Sequence, residues 1–394
     1  MCRLPSPLTL LVFTILSATA VRSLRRLPSS SLRPLSPKSI MHMSSDVSLA
    51  EEAVAKFLGT EEKFSFRPTS GGVNNVVQYV DSLLGEPKYV LRIYNNGFNS
   101  ERTFFEHAIL DQLREMKLSF MIPTTVKSID TKAAHVLLSN GAEASLFNLI
   151  PGTLPKLTRV KEIGRASGEL CTAMGNLKIS IPSPNPPYYE IYAVHHAVTR
   201  EKFFAEILTP AFDSCRESID FMVAELCEIE KSISAFHAMN LPTQLIHGDL
   251  HYDNVLTTED GVSGLLDFEF CALDWRAMEL AICLSKYAGE KLAMIYFEDF
   301  VSGFVEKGRL TRTEIEAIPQ LIILRILSNV VYFVGRALAG EDSIESLTSR
   351  ADSYARRIKW IRSNEAAIVN MISTKMVEQG VDIDAPAVLS STSV

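Results

Sequence analysis

The stretch HGDLHYDNVLTTEDGVSGLLDFEF, residues 247–270, constrains this chain more than any other. Asp249 and Asn254 share one short loop. A hairpin pattern follows, turning at Glu259-Asp260-Gly261, and delivers two further carboxylates, Asp267 and Glu269. Ile246, Val255, Leu256, Leu265, Leu266 and Phe268 flank both ends, which anchors the motif in a core rather than on a solvated acidic surface.

Upstream, the pattern is β-rich. FSFRPTSGGVNNVVQYVD (64–81) reads as strand, Gly-rich turn, strand, and KYVLRIYN (88–95) as a third strand. SERTFFEHAILDQLREM (100–116) has helical spacing, with Phe105, Ile109 and Leu113 on one face. AAHVLLSNGAEASLFNLIPG (133–152) predicts a hairpin turning at Asn140-Gly141. A further helix is expected over 46–58, capped by Ser45 or Asp46. From Val160 onward the pattern is mostly helical, interrupted by the Pro-rich segment SPNPP (183–187). Helices are expected near 200–208, 218–239, 276–287, 289–306, 312–339 and 343–376, and a disordered tail over 377–394. With 394 residues, 47% of them hydrophobic, the chain has material for about two lobes. The expected architecture is α+β and bilobal: residues 46–150 form a small β-rich lobe and residues 151–376 a larger helical one.

A β-rich lobe, a connection, then H-G-D-x-x-x-x-N and D-F-E resembles the aminoglycoside phosphotransferase and choline kinase superfamily, whose fold is protein-kinase-like. Within it, residues 50–376 look most like type II homoserine kinases. The resemblance implies an ATP- and Mg²⁺-dependent kinase acting on the hydroxyl of a small metabolite. Phosphoryl transfer depends on positioning and charge neutralisation more than on covalent work by the protein. Asp249 is then the catalytic residue that orients the hydroxyl and accepts its proton, and Asn254, Asp267 and Glu269 are metal ligands. Gly71 and Gly72 bring backbone N–H groups to the phosphates. Arg92 stands where protein kinases carry Lys, with Glu106 as its helix partner. Asn148, Leu149 and Ile150 form the hinge that takes the adenine. Glu279, where the family usually has Asp, is expected to receive N–H groups of the catalytic loop.

For the acceptor, His251 lies beside Asp249. Arg325, Asn329, Tyr332 and Arg336 follow steps of four, three and four and share one helix face. Arg336 is the expected carboxylate grip. Choline, ethanolamine or sugars are rival acceptors, and a nucleotide-binding regulatory pseudoenzyme is a rival of another class. The presence of Asp249, Asn254 and Asp267 argues against the latter.

Residues 1–45 read as a targeting leader. An apolar run, Leu8 to Leu16, precedes Ala18-Thr19-Ala20, and then an Arg-, Ser- and Pro-rich stretch runs to the first acidic residue, Asp46. The two parts together resemble a bipartite plastid leader; a secreted protein, or a cytosolic form from an internal start at Met41 or Met43, are the alternatives. Without these residues the chain loses six basic and no acidic side chains, and the formal charge moves from −7 to −13. Such a chain is a poor nonspecific nucleic-acid binder. No membrane span is expected. Five Cys lie beyond the leader, an odd number with no C-x-x-C, which indicates neither a disulfide framework nor a zinc site.

Overall fold

The computed structural model describes residues 37–69, 75–82, 85–94 and 100–386. Met1–Ser48 and Leu49–Val394 are separate compact units. Helix α1 (Pro37–Leu58) begins in the first and is longer than the expected 46–58.

In the second unit, an antiparallel sheet forms from β1 (Phe64–Pro68), β2 (Val76–Ser82), β3 (Pro87–Ile93), β4 (Val136–Leu137) and β5 (Glu143–Asn148), in the order β1-β2-β3-β5-β4, with β5 buried over residues 143–147. Ala50, Ala53, Val54 and Phe57 of α1 pack with Val80, Leu91, Ala144 and Leu146 into a small separate core. Helix α2 (Ser100–Arg114) turns Phe105, Ile109 and Leu113 into the larger core. The hairpin turn at Gly141 is wider than the two residues expected. Pairing stops at Leu137↔Glu143, and the Leu138 and Gly141 amides close the loop by donating to the Ala142 and Leu138 carbonyls.

The larger lobe is helical: α3 (Val160–Met174), α4 (Arg200–Ile207), α5 (Arg216–Ala238), α6 (Ala277–Ser285), α7 (Ala293–Phe304), α8 (Arg312–Leu338) and α9 (Glu345–Glu378). Helices α3 and α7 approach at Gly164 and Gly303. A Cβ at Gly303 would lie 1.9 Å from the Lys161 carbonyl, so no larger residue allows that crossing. Helix α8 begins with a capping box, Thr311 and Glu314, and the same Glu314 carboxylate takes a two-point ion pair from Arg276 (2.9 and 2.5 Å). By length and composition α8 is apolar enough to cross a membrane, but 72% of its apolar window is buried inside the fold, as for a core helix.

Two short sheets sit between the helices. Strands β6 (Thr243–Ile246) and β9 (Ala272–Trp275) pair antiparallel, and so do β7 (Val255–Thr258) and β8 (Gly261–Leu265). The sequence periodicity predicts the second pair and misses the first. The tail is also more ordered than expected. Ile383 is buried, its carbonyl accepts from the Arg312 amide (2.7 Å), and Asp384 pairs with Arg312. Residues 387–394 lie outside the described residues.

Candidate active site

The two small sheets explain how Asp249 and Asp267 meet. Ile246 pairs with Ala272, which places the start of the 247–254 loop beside the end of the D-F-E turn. At the hairpin base, Val255 pairs with Leu265 and the Leu266 amide donates to the Asn254 carbonyl (2.9 Å). The motif's spacing is therefore a closed frame. His247 braces it from inside: its buried ring accepts the Asp249 N–H at Nδ1 (3.3 Å) and donates from Nε2 to the Leu266 carbonyl (3.0 Å). Gly248 has φ +82°, and a Cβ there would lie 2.3 Å from the Phe270 carbonyl, so the turn requires glycine. Glu279, fully buried on α6, accepts the His247 N–H (2.5 Å) and that of Gly248, as expected. Its other oxygen, Oε1, is buried without a partner, and burial pushes its pKa up to about 7.

Asp249 points both ways. Its Oδ2 accepts from Asn254 Nδ2 (3.3 Å), which also donates to the Asp249 carbonyl (2.9 Å). With Nδ2 so engaged, the amide offers its Oδ1 to a cation. Asp249 Oδ1 accepts from Arg325 Nη2 (2.6 Å), with His251 Nε2 at 3.5 Å. Burial alone would raise the Asp249 pKa, but His251 and Arg325 hold it well below the usual carboxylate range. His251 Nδ1 accepts the Asp253 N–H (3.2 Å), and Asp253 pairs with Lys286 (3.0 Å).

Asp267 has φ +68°, rare for a residue with a side chain. It lies at a junction of the two lobes. Arg92 of β3 donates to Asp267 Oδ1 (2.8 Å) and to Glu106 of α2 (2.9 Å), with its side chain only 13% exposed. Burial outweighs the Arg92 charge and pushes Glu106 up to about 7. Glu269 Oε2 accepts from Asn75 Nδ2 (2.5 Å), which ties the D-F-E turn to the segment after the glycine pair. Gly71 and Gly72 themselves lie outside the described residues. At the hinge, the Asn148 amide donates to the Thr124 carbonyl (2.9 Å) and that of Leu149 to the Lys88 carbonyl (3.2 Å). Ile150 is buried against Gly264. A cavity of about 270 Å³ beside the hinge, lined by Leu113, Met116, Phe120, Thr124 and Asn148, holds none of the reacting groups.

A family profile described as "Phosphotransferase enzyme family" matches residues 65–310. The chain belongs to this family. It is 26% identical over 317 residues to a homoserine kinase of Rhizobium meliloti, covering 76% of this chain and 91% of that one. A homoserine kinase of Parvibaculum lavamentivorans is 34% identical over 282 residues, covering 69% and 81%. Among solved structures, a microcompartment-associated aminopropanol kinase superposes with a TM-score of 0.57 over 85% of this chain and 100% of that chain, at 17% identity, which shows the shared fold. The protein is a small-molecule kinase.

The α8 stripe of this phosphotransferase divides. Arg325 and Asn329 sit at Asp249: Arg325 Nη1 donates to Asn329 Oδ1 and Nη2 to Asp249. Arg336 does not join them. Eleven residues at about 1.5 Å rise put it roughly 16 Å further along the helix axis. There it pairs with Asp342 (2.8 Å) and Glu341 (3.3 Å) and donates to the Tyr332 hydroxyl (3.3 Å). The expectation that Arg336 grips the acceptor is corrected by this ion-pair network, and Tyr332 belongs to it too. His195 and His196 stand close to Glu341, but Arg336 already meets that carboxylate, and His195 Nδ1 accepts the Ala197 N–H.

Three residues of the kinase's frame escaped the sequence reading. Asp274, fully buried on β9, accepts the Tyr188 and Trp275 amides (2.6 Å each), and burial pushes it up to about 7. Tyr188 donates to the Gly248 carbonyl (2.7 Å) and lies under the Arg325 guanidinium at 5.4 Å. Asn185 donates to the Glu269 and Cys271 carbonyls (2.8 and 3.0 Å). The Pro-rich segment thus supports both arms of the site. The available signals were a lone Asp in an apolar strand, and an Asn stiffened by Pro184 and Pro186.

Proposed function

We propose that the protein transfers the γ-phosphate of ATP to the side-chain hydroxyl of homoserine. The observation that carries this is the frame in which Asp249 faces Asn254 through one carboxylate oxygen and an arginine through the other. The hydroxyl oxygen attacks the γ-phosphorus, the bond to ADP breaks, and Asp249 takes the hydroxyl proton. The resemblance to homoserine kinases over most of both chains supports the acceptor. Arg92 reaches the nucleotide phosphates from β3, and adenine meets the hinge at the Ile150 backbone, since the neighbouring amides are already engaged.

Asn254, Asp267 and Glu269 are oxygen donors of the kind that suit Mg²⁺, and the fixed Asn254 amide fits that use. When bound there, Mg²⁺ neutralises charge on the transferred phosphate. Asp267 and Asn254 are the ligands the frame holds in place.

For the first 45 residues the reading is a plastid leader, supported by the apolar run followed by an acid-free basic stretch. A reporter fused after Ser45 should enter a plastid; secretion of the reporter refutes this. For the reaction, the full chain is screened for ADP release against homoserine, choline, ethanolamine and sugars. Activity highest with homoserine supports the reading. Activity confined to choline or a sugar refutes it.

A further inference from the structure

We propose that Arg325 selects an acceptor bearing a carboxylate, and that its bond to Asp249 is a latch which the acceptor's carboxylate releases. The proposal rests on the homoserine reading and assigns the chemistry of its recognition.

The Arg325 side chain is 12% exposed and fixed on three sides. Asn329 takes Nη1, Asp249 takes Nη2, and the Tyr188 ring lies alongside. Nε is buried and has no hydrogen-bond partner. Nε and Nη2 form one edge of the guanidinium, the edge on which a carboxylate binds with two parallel bonds. Asp249 fills half of that edge with a single bond and leaves Nε unsatisfied, which is costly for a buried donor. A carboxylate with both oxygens on Nε and Nη2 satisfies the edge and displaces Asp249.

The displacement bears on the reaction. In the free protein, Asp249 Oδ1 accepts from Arg325 and has His251 Nε2 at 3.5 Å, so the oxygen that must receive the hydroxyl proton is already engaged. Once an acceptor's carboxylate has taken Arg325, that oxygen turns to the acceptor's hydroxyl. An alcohol without a carboxylate leaves the latch closed. Water does too, which protects ATP from hydrolysis. Arg325 therefore acts on substrate choice through binding and on chemistry through Asp249.

The test compares homoserine with 3-amino-1-propanol, which is homoserine without its carboxylate, in the wild type and in Arg325→Gln. In the wild type, homoserine should have the higher kcat/KM. Arg325→Gln should lower kcat/KM for homoserine by about 30- to 150-fold, the loss of a charge-assisted bond, while the value for 3-amino-1-propanol rises and KM for ATP stays within about twofold. An equal loss for both alcohols would mean that Arg325 only supports the loop, and the proposal falls while the homoserine reading stands. A wild type that phosphorylates 3-amino-1-propanol but not homoserine overturns both. Should Arg325→Gln not fold, the wild type decides alone. L-2-aminobutyrate has the carboxylate but no hydroxyl, so it should compete with homoserine and raise ATP hydrolysis by opening the latch. Competition without that rise overturns the latch.

Discussion

Arg325 and Asp249, 76 residues apart in sequence, meet at 2.6 Å in the space between the catalytic loop and helix α8. Nothing local in either segment announces the contact. It sets apart two arginines of one helix face, because Arg336 spends its guanidinium on Asp342 and Glu341 instead.

The first prediction follows from that division. Arg336→Ala should destabilise the protein by about 1–3 kcal/mol, between the value of an exposed and of a buried ion pair. KM for the acceptor should stay within about twofold. Urea unfolding and steady-state kinetics on the same preparation check it. A large rise in acceptor KM with unchanged stability would return Arg336 to the binding site.

Tyr188 supports the loop through one hydroxyl bond to the Gly248 carbonyl. Tyr188→Phe removes that bond and keeps the ring beside Arg325. A neutral hydrogen bond contributes about 1 kcal/mol, so kcat should fall about fivefold while KM for ATP is unchanged. A loss of fold would also lower kcat at constant KM, so kcat is divided by the folded fraction measured by circular dichroism; a corrected kcat equal to that of the wild type would remove the positioning role.

Arg92 joins β3, α2 and the D-F-E turn. Arg92→Ala should weaken ATP binding about tenfold or more, the loss of a charge-assisted contact, with acceptor KM little changed. Calorimetric titration with ATP and magnesium salt measures it. Unaltered ATP affinity would remove Arg92 from the nucleotide site.

Glu279 makes a pH prediction whose sign is fixed by its raised pKa. Between about pH 4, where an unfolded Glu ionises, and about 7, where Glu279 does, the native state holds the proton and the unfolded state does not. Stability therefore falls as pH rises through that window and levels off above it, by at most about 3 kcal/mol for this group. Glu279→Gln keeps an oxygen for the loop amides and cannot ionise. Its unfolding midpoint in urea should vary less between pH 5 and 8 than that of the wild type. An identical pH dependence would assign the effect to Asp274 or Glu106, which burial raises in the same way.

Much of this fold is legible in the sequence because helices and hairpins carry their own periods. The helical period places α8 within a residue, and the Asp249, Asn254 and Asp267 frame is legible through the motif spacing that carries the family resemblance. What escaped depends on partners distant in the chain. Strand β6 is four residues long and finds β9 only through the hairpin between them, so neither shows a pattern of its own. The α8 stripe gave the right face but not the position along the axis, since helical spacing fixes angle alone; Arg325 and Arg336 were equivalent on that basis. The tail past Glu378 looked disordered from its composition, yet Ile383 finds a buried place against the start of α8. Asp274 gave only the signal of a carboxylate among apolar neighbours, and its two amide partners became visible with the fold.

The central claim is that Asp249 takes the proton of the homoserine hydroxyl, and phosphorus NMR of the full chain with ATP, magnesium salt and homoserine tests it most directly. The wild type should produce a phosphate monoester resonance of homoserine together with ADP, and Asp249→Asn should bind ATP normally but form the ester at least about a hundredfold more slowly, the lower range for a general base. A wild type that forms no ester with homoserine, or an Asp249→Asn protein that forms it at nearly the wild-type rate, would contradict the account.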